Sequence, residues 1–543
     1  MRIILPLAAA AAWLGVVLAA QDPSAEFAQG VVFEDQDADG TRDPAEPGLP
    51  GMRVSDGLSI TVTDAEGSWQ LPRADTAIYF VIQPRGFRTL RSANGTPFFY
   101  YTHRPDGSPP LRYPGVSPTG PLPESIDFGL TRQAEPDDLR LMLFGDTQPR
   151  DLKEIDWMDR TVVEEAKREN ENPKGTPAAF GVTLGDVVFD HLDMFEPLAA
   201  SLSRIGLPWW MVLGNHDVNY DAADDDGANE SYVRNFGPVN YSFDWGPAHF
   251  LVLDNVEVYW KNENGKRNAD YRARFDEQAL AFARADLALV PEGSTVVALM
   301  HISLGSTTNR AELLGLLSRF SHTLSIAAHA HATWQEDLGA KDGWTRAEPH
   351  RHIVNVTACG GWWTGQPDER GIPHATMTDG APLGWALLTL RADGSYVYDF
   401  RAAGMPATAQ LAIRAPESAL PGEEFTLHVN VFAGSPETVV DMRVIPPLPT
   451  AEKRVPWEAM ERVLAPDPWF AARRAAEELV RGDRWRKMPE PGDVKHLWKG
   501  TLLAPAFPGE LVTIEARARD REGRLWTATR SLRIAAPALD SNR

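Results

Sequence analysis

Short runs of alternating apolar and polar residues occupy both ends of the chain, and longer apolar runs alternate with helical segments in its middle. Residues 27–131 carry runs such as "LSITVTD" and "SWQLP" between Gly, Pro, Thr and Asp, a pattern typical of strands and turns. This pattern predicts a small all-β domain. After about Gly404, "EFTLHVNVF" and "LVTIEARARDREGRLWTATRSLRI" predict a second β-sandwich, and Trp457–Arg486 predicts a charged helical excursion from it.

The middle of the chain alternates between buried strands and helices. Its strands are predicted from the runs "LRLMLFGD", "AAFGVTLGD", "PWWMVLGNHD", "HFLVLDN", "TVVALMH" and "HTLSIAAHAH". Its clearest helices are predicted at Asp151–Asn170, Leu192–Ile205, Phe275–Leu289 and Arg310–Phe320. Alternation of this kind indicates an α/β sandwich. Several strands end in Asp, Asn or His, and ligands of open α/β sheets gather beyond the carboxyl ends of strands.

The first twenty residues form a segment of their own. Arg2 precedes an apolar run from Ile3 to Leu18, and small residues suited to cleavage follow at Ala19 and Ala20. This is the layout of a secretory signal peptide, whereas the competing interpretation, an uncleaved anchor, needs a run of about 20 apolar residues. We predict export to the periplasm or the medium, and no transmembrane span in the mature chain.

Charge and cysteine content argue against two kinds of protein: one that binds polyanions through its overall charge, and one that is held together by disulfides. The formal net charge of -22 argues against binding to a nucleic-acid polymer or an anionic membrane through bulk charge. Cys359 is the single cysteine, so the chain forms no internal disulfide. We assign Cys359 no chemistry, because a lone thiol is most often a small buried hydrophobe.

Five short motifs with polar side chains close the predicted strands of the middle region. They are "GDTQ" (Asp146, Gln148), "GDVVFD" (Asp186, Asp190), "GNHD" (Asn215, His216, Asp217), the histidine of "VVALMH" (His301) and "AHAH" (His329, His331). Each motif alone is weak, since "GD" after a strand is often only a turn. Chance is a poor explanation for five such motifs that occur in this order, each at a strand end.

The five motifs resemble the calcineurin-like metallophosphoesterase family, whose pattern is D-x-H/Q, GDxxx, GNH[DE], a strand-end His and GHxH. Segments such as Gly360–Leu390 resemble a subgroup with a β domain on each side of the phosphoesterase. The resemblance implies a multidomain fold in which a central α/β four-layer sandwich is flanked by two small all-β domains. The predicted boundaries are 1–20 for the signal peptide, 21–132 and 404–543 for the β domains, and 138–403 for the catalytic domain.

The resemblance also implies a site for two metal ions. Two ions about 3.5–4 Å apart acidify a bridging water and clamp the phosphate. One ion would take Asp146, Gln148, Asp186 and His331, and the other Asp186, Asn215, His301 and His329. Oxygen and imidazole ligands suit Mn, Fe or Zn. A Gln at the place of Gln148 also occurs in branches of the family, including some that resemble diester or pyrophosphate hydrolases, and it tilts the expected substrate weakly towards diesters.

His216 is the histidine of the motifs that is left free to move a proton. It is expected to protonate the leaving oxygen, with Asp217 orienting its ring, and the alternative is a structural hydrogen-bonding role. Asp190 and His191 either orient ligands or begin a solvated helix, and His322 is expected to be structural. Four further residues lie in segments that resemble the subgroup's signature: Trp362, Trp363, Asp379 and Gly380. The two tryptophans are expected either to form a wall of the substrate cleft or to pack in the core at a domain junction.

A second motif with metal spacing lies in the N-terminal domain. "DQDADGTRDPAE" places Asp35, Asp37, Asp39, Asp43 and Glu46 at the spacing of a calcium loop. The flanking sequences are not helical, so this is not an EF-hand. We predict a structural Ca²⁺ in the β domain, with an acidic turn that holds no ion as the alternative.

The sequence therefore predicts an exported phosphoesterase that hydrolyses phosphate esters by attack of a metal-bridging hydroxide, weakly favouring diesters. The first alternative is a phosphomonoesterase of the same fold, because the chemistry is shared and specificity lies in loops. The second is a non-catalytic cell-envelope binding protein that uses the fold as a scaffold.

Overall fold

The structure is a computed structural model that describes residues 27–263, 266–447 and 455–536. The predicted signal peptide over residues 1–20 lies outside the described residues. Within the described ranges, every helix is too short or too polar to cross a membrane.

The N-terminal domain consists of nine strands arranged in two facing sheets. The strands are β1 (Phe27–Glu34), β2 (Arg53–Ser55), β3 (Ile60–Val62), β4 (Ser68–Pro72), β5 (Ala77–Ile82), β6 (Phe87–Arg91), β7 (Pro97–Phe98), β8 (Tyr100–His103) and β9 (Phe128–Arg132). One sheet has the order β4-β1-β9-β6-β7 and the other β3-β2-β5-β8. Trp69 from the first sheet packs against Tyr79 from the second, with ring centres 5.9 Å apart. The all-β prediction for this region is confirmed.

Two mixed sheets form the middle of the central domain. Their strands are β10 (Leu139–Phe144), β11 (Phe180–Leu184), β12 (Trp209–Val212), β13 (Tyr241–Trp245), β14 (Ala248–Val252), β17 (Thr295–Leu299), β18 (His322–Ala327), β19 (Trp334–Leu338), β20 (His350–Val354), β21 (Gly384–Leu390) and β22 (Tyr396–Ala402), and the separate hairpin is β15 (Val256–Glu263) and β16 (Lys266–Ala273). The sheet orders are β12-β11-β10-β21-β22 and β13-β14-β17-β18-β20-β19. In the first sheet β10, β11 and β12 run parallel, as do β14, β17, β18 and β20 in the second.

Helices cover the outer faces of these sheets. They are α1 (Leu152–Met158), a π-helical turn (Asp159–Val163), α2 (Glu164–Asn170), α3 (Phe195–Ser203), α4 (Asp225–Ala228), α5 (Glu230–Phe236), α6 (Glu277–Leu289) and α7 (Arg310–Leu317), with 3₁₀ turns at Leu192–Met194, Leu304–Ser306 and Ala340–Asp342. Along β10, Leu141 and Leu143 pack in the core shared by the two sheets, while Met142 and Phe144 pack with the helices. Successive strand residues face opposite sides, so a strand buried on both faces needs a continuous apolar run. The predicted four-layer sandwich is confirmed.

The described part of the C-terminal domain is a second pair of sheets with one helix. Its elements are β23 (Leu411–Arg414), β24 (Ser418–Ala419), β25 (Glu424–Val431), β26 (Val439–Ile445), β27 (Glu458–Ala459), β28 (Glu461–Pro466), α8 (Pro468–Arg481), β29 (Asp493–Leu503), β30 (Leu511–Arg519) and β31 (Leu525–Ile534). The prediction of a helical excursion over Trp457–Arg486 is wrong for its first part. β28 pairs antiparallel with β29, and the helix begins only after Asp467, whose carboxylate accepts hydrogen bonds from the first-turn N–H groups.

A buried charge network joins the N-terminal domain to the central domain. His249 Nδ1 lies 2.7 Å from Asp244 Oδ1, and its Nε2 lies 2.8 Å from Asp286 Oδ2. Arg53 reaches the same two carboxylates from β2. Burial opposes charge on the imidazole, but the two carboxylates outweigh it and raise the pKa of His249 to about 9.

This network predicts a specific pH dependence of stability. A histidine whose pKa is raised on folding stabilises the protein below its unfolded pKa, and that contribution is lost as the pH rises through its folded pKa. We expect the stability advantage of the wild type over His249→Gln to be about 2 kcal/mol near pH 6.5 and to shrink between pH 7 and 10. Melting temperatures of both proteins across this range measure it, and His322→Gln, at an exposed position, is the control. A difference that does not change with pH would contradict a charged His249.

Candidate metal centre

All seven predicted ligands follow the carboxyl ends of five parallel strands. Asp146 and Gln148 follow β10, Asp186 follows β11, Asn215 follows β12, His301 follows β17, and His329 and His331 follow β18. Six of them are buried, and His329 is half-buried. The structure brings these side chains together where the two sheets meet.

Asp186 lies in the middle of the cluster. Its Oδ1 atom lies 3.2 Å from His301 Nε2 and accepts a hydrogen bond of 2.9 Å from the His216 backbone N–H. His301 Nε2 also lies 3.1 Å from Asn215 Oδ1 and 3.1 Å from His329 Nδ1. Ligand atoms of Asp186, His301 and His329 all lie within 4.8 Å of one another, close enough to share one ion.

Asp146 and His331 form the other side of the cluster. Asp146 Oδ2 accepts a hydrogen bond of 2.8 Å from the His329 backbone N–H. Its Oδ1 lies 3.6 Å from His331 Nε2 and is buried without a hydrogen-bond partner in the described structure. A buried carboxylate oxygen of this kind is costly unless a cation faces it, so the site fits a metal ion on this observation.

Backbone carbonyls fix how two of the histidines face the cluster. His301 Nδ1 lies 2.9 Å from the Leu184 carbonyl, and His331 Nδ1 lies 2.5 Å from the Gly360 carbonyl. Because a carbonyl oxygen only accepts, Nδ1 carries a proton in each ring and Nε2 is the atom turned to the cluster. Metal-binding histidines are commonly held in this way.

Burial also sets the titration of the cluster. It lowers the pKa of His331 to about 3 and that of His329 to about 4, so both rings are neutral near pH 7. Burial raises the pKa of Asp146 to about 8, although His301 opposes the shift. Burial opposes charge on His301, but Asp186 outweighs it and raises its pKa to about 9. The cluster therefore holds protons that metal binding would displace.

The loops that carry the ligands have an uncommon backbone conformation. Ten non-glycine residues of the described chain have positive φ, and half of them are predicted ligands: Asp146 (35°), Gln148 (40°), Asp186 (48°), His329 (69°) and His331 (48°). Such angles cost energy for residues with a side chain, and they cluster at functional sites. Asp190 and Trp362 share the conformation, so the strain is concentrated around this cluster.

Gln148 lies in the cluster, but its amide is not turned as predicted. Its Nε2 donates a hydrogen bond of 2.5 Å to Asp186 Oδ2, and its Oε1 lies 3.7 Å from Cys359 Sγ. The prediction gave the carbonyl oxygen to the metal. An N–H group pairs better than an oxygen with a free carboxylate, and a half-turn of the amide exchanges the two atoms.

His216 lies beside the ligands with its ring held from two sides. Its Nδ1 lies 2.7 Å from Asp190 Oδ1, and the ring stacks on Phe189 with centres 4.3 Å apart. Its Nε2 makes no hydrogen bond within the described part of the chain. Burial opposes charge on the ring, but Asp186 and Asp190 outweigh it and raise the pKa of His216.

Asp217 was predicted to orient the His216 ring, but in the structure Asp190 occupies this position. The fully buried Asp217 instead accepts hydrogen bonds from the backbone N–H groups of Val187, Val188 and Gly214, at 2.8 to 3.0 Å. Adjacent residues point their side chains in different directions, so Asp217 turns away from its neighbour's ring. It holds two ligand loops together.

Two residues with open predictions line or support the site, and a third belongs to the core. Trp362 stacks on His331 with ring centres 3.7 Å apart, whereas Trp363 is buried in the core against Trp157. One tryptophan is therefore a wall of the site and the other is core. His191 Nδ1 lies 3.0 Å from the Arg150 carbonyl, which ties its loop to the first ligand loop.

The C-terminal domain makes hydrogen bonds to residues that support the His331 side of the site. Asp379 accepts hydrogen bonds from the Thr333 backbone N–H (2.7 Å) and from His496 Nε2 (3.0 Å) of β29. Gly380 adopts positive φ, and a Cβ there would lie 2.6 Å from the Asp467 side chain, so only glycine fits this approach. Sequence reasoning missed His496 because nothing local marks a histidine in an ordinary strand as a partner.

In the acidic loop of the N-terminal domain, carboxylates accept hydrogen bonds from backbone N–H groups of the same loop. Asp35 is buried and accepts hydrogen bonds from Ala38 and Gly40, and Glu46 accepts them from Gln36 and Asp43. Carboxylate atoms of Asp35, Asp37 and Asp39 lie within 4.8 Å of one another. These contacts agree with both alternatives, and the calcium site stays a prediction.

Two facing mixed sheets, with ligand-bearing loops at the ends of their parallel strands, define the class of four-layer α/β metalloproteins. Within this class, the chain belongs to the calcineurin-like phosphoesterase family. The family model "Calcineurin-like phosphoesterase" matches residues 139–333. The models for the N terminal and the C terminal of calcineurin-like phosphoesterase match residues 36–111 and 352–526, in agreement with the predicted subgroup.

Among solved structures, the chain is similar to the purple acid phosphatase PPD1 isolated from yellow lupin (Lupinus luteus) seeds. The two are 13% identical with a TM-score of 0.34, and the match covers 69% of this chain and 66% of that chain. The match thus spans slightly less than two thirds of the lupin protein. No curated protein sequence matched the chain.

Proposed function

We propose that the chain is a metal-dependent phosphoesterase that works at a two-ion site around Asp186. One observation carries this proposal: seven side chains from five strand ends converge, and they leave a buried Asp146 oxygen without a donor. A decayed scaffold would have no reason to keep such a costly arrangement. Oxygen and imidazole donors favour Mn, Fe or Zn.

The protein's own residues have separate tasks in this reaction. Two bound metal ions would acidify the attacking water and offset the charge on the phosphoryl oxygens. The attacking water gives one proton to solvent and its oxygen bonds to phosphorus, while the ester P–O bond breaks and the leaving oxygen takes a proton from His216. His216 then regains a proton from solvent. Asp190 and Phe189 hold the His216 ring for this transfer, and Trp362 forms a wall of the cleft beside His331.

We further propose that the enzyme is exported and that it prefers phosphodiesters. Export is supported by the signal-peptide pattern over residues 1–20. The diester preference is supported by Gln148, which supplies a neutral oxygen donor in place of an imidazole once its amide turns. Neither proposal depends on the other.

Assays with purified mature protein test the proposed activity. We expect metal-dependent turnover of p-nitrophenyl phosphate, bis(p-nitrophenyl) phosphate and the p-nitrophenyl ester of thymidine 5′-phosphate, with higher kcat/KM for the two diesters. Protein that has been stripped with a chelator and refilled with Mn²⁺, Fe²⁺ or Zn²⁺ is the matched control. Faster hydrolysis of the monoester would favour a phosphomonoesterase. No hydrolysis of any of these substrates by the metal-loaded protein would favour a binding protein.

A further inference from the structure

Arg150 contacts the Phe189 ring and the backbone of the Trp362 loop. Its guanidinium packs 3.9 Å from the centre of the Phe189 ring, and His216 stacks on the same ring at 4.3 Å. The guanidinium and the imidazole are therefore no more than about 8 Å apart. On its other side, Arg150 Nη1 donates a hydrogen bond of 3.1 Å to the carbonyl of Trp362, whose ring covers His331.

A second arginine reaches this position from the C-terminal domain. The guanidinium of Arg486 contacts Glu154, the same carboxylate that lies 3.5 Å from Arg150 Nη1. The backbone carbonyl of Arg486 accepts a hydrogen bond of 3.0 Å from Gly365. This bond joins the backbone of Arg486 to the loop that carries Trp362. The backbone of Arg486 is therefore held in place beside the site.

The charges of this group do not balance. Glu154 is 1% exposed and supplies one negative charge to two guanidinium groups, which are 25% and 45% exposed. The other contacts of Arg150 named above are to a neutral ring and a carbonyl. One positive charge is left over at the edge of the cleft, in a chain whose formal net charge is -22.

We propose that Arg150 and Arg486 form a subsite for a second phosphate group of the substrate. The planar guanidinium fork matches phosphate oxygens and keeps its charge at every working pH. The guanidinium of Arg150, which lies within about 8 Å of the His216 ring, can reach a second phosphate on the organic group of the same ester. This inference rests on the proposed phosphoesterase function, and it names a substrate class: phosphate esters that bear a second phosphate.

A matched pair of substrates tests the subsite. The p-nitrophenyl ester of thymidine 5′-phosphate is compared with the same ester bearing a 3′-phosphate, using wild type, Arg150→Ala, Arg486→Ala and Lys487→Ala. We expect the wild type to prefer the bisphosphate, and each arginine variant to lose about tenfold or more of kcat/KM on it alone. Lys487 is adjacent and 47% exposed, so its variant controls for loss of surface charge. Equal losses on both substrates, or no loss, would overturn the subsite.

A binding measurement separates this inference from the proposed function. Calorimetry of the Mn²⁺-loaded protein compares thymidine 3′,5′-bisphosphate with thymidine 5′-phosphate. Tighter binding of the bisphosphate, abolished in Arg486→Ala, supports the subsite even if no ester is hydrolysed, in which case only the proposed function fails. Equal affinity of the two nucleotides in the wild type overturns the subsite even if hydrolysis is rapid.

Discussion

Asp186→Asn is expected to remove metal from the site and to lower kcat/KM about a thousandfold. Asp186 is the side chain that touches both halves of the cluster, with Oδ1 near His301 and Oδ2 bonded to Gln148. Loss of one ion removes several kcal/mol of charge stabilisation, and about 1.4 kcal/mol corresponds to a factor of ten in rate. Metal content by mass spectrometry and the rise of the melting temperature on adding Mn²⁺ measure the loss independently of turnover.

The control is a second buried aspartate of the same domain. Asp286 is fully buried in the His249 network, so Asp286→Asn should lower the melting temperature but leave metal content and turnover of the folded protein unchanged. Metal-free Asp186→Asn should melt below the metal-free wild type, because it loses the ion pair with His301, and added Mn²⁺ should raise its melting temperature less than that of the wild type. If Asp186→Asn keeps both ions and most of its turnover, the role of Asp186 in holding the metal ions is wrong.

The position of the site could be predicted because it depends on local sequence. A strand buried on both faces must be apolar over its buried length, as residues 141–144 ("LMLF") of β10 are. The first polar side chain after such a run marks the strand end, where Asp146 lies. The same reasoning located Asp186 and His301. The four-layer fold follows from the same runs, since such strands need both a facing sheet and covering helices.

The contacts made across the fold could not be predicted in this way. The Gly360 carbonyl that holds His331 belongs to the backbone and has no sequence signal. Asp190 rather than Asp217 reaches His216 because of how two loops meet. The strand Glu461–Pro466 exists because it pairs with β29, with a bulge between Val463 and Ala465, and its own sequence "ERVLAP" lacks the alternation of apolar and polar residues that marks a strand.

The structure also changes the role of the C-terminal domain. In the sequence it is a separate β-sandwich, whereas in the structure its His496 holds Asp379 and its helix α8 packs beside the loop of Trp362. Glu477 of α8 accepts a hydrogen bond of 2.9 Å from the backbone N–H of Gln366. The side of the site around His331 is thus built from residues of two domains.

His216→Ala is expected to slow hydrolysis of esters with poor leaving groups by about 10²–10⁴, the usual contribution of general acid catalysis. The effect should be much smaller for p-nitrophenyl esters, because p-nitrophenolate leaves without a proton. His216 contacts the cluster through its backbone N–H to Asp186, which alanine keeps, so metal content should not change. Rates for a series of phenyl esters with leaving groups of increasing pKa measure the difference.

Two further variants make this prediction specific to the ring of His216. Asp190→Asn can keep a hydrogen bond to Nδ1 but loses the charge, so we expect a smaller loss with the same dependence on the leaving group. His322→Ala removes an exposed histidine at the start of β18 and should change nothing. A uniform loss across all leaving groups in His216→Ala would mean that the ring positions the phosphoryl group. If His216→Ala turns over esters with poor leaving groups at the full rate with both metals bound, His216 takes no part in the reaction.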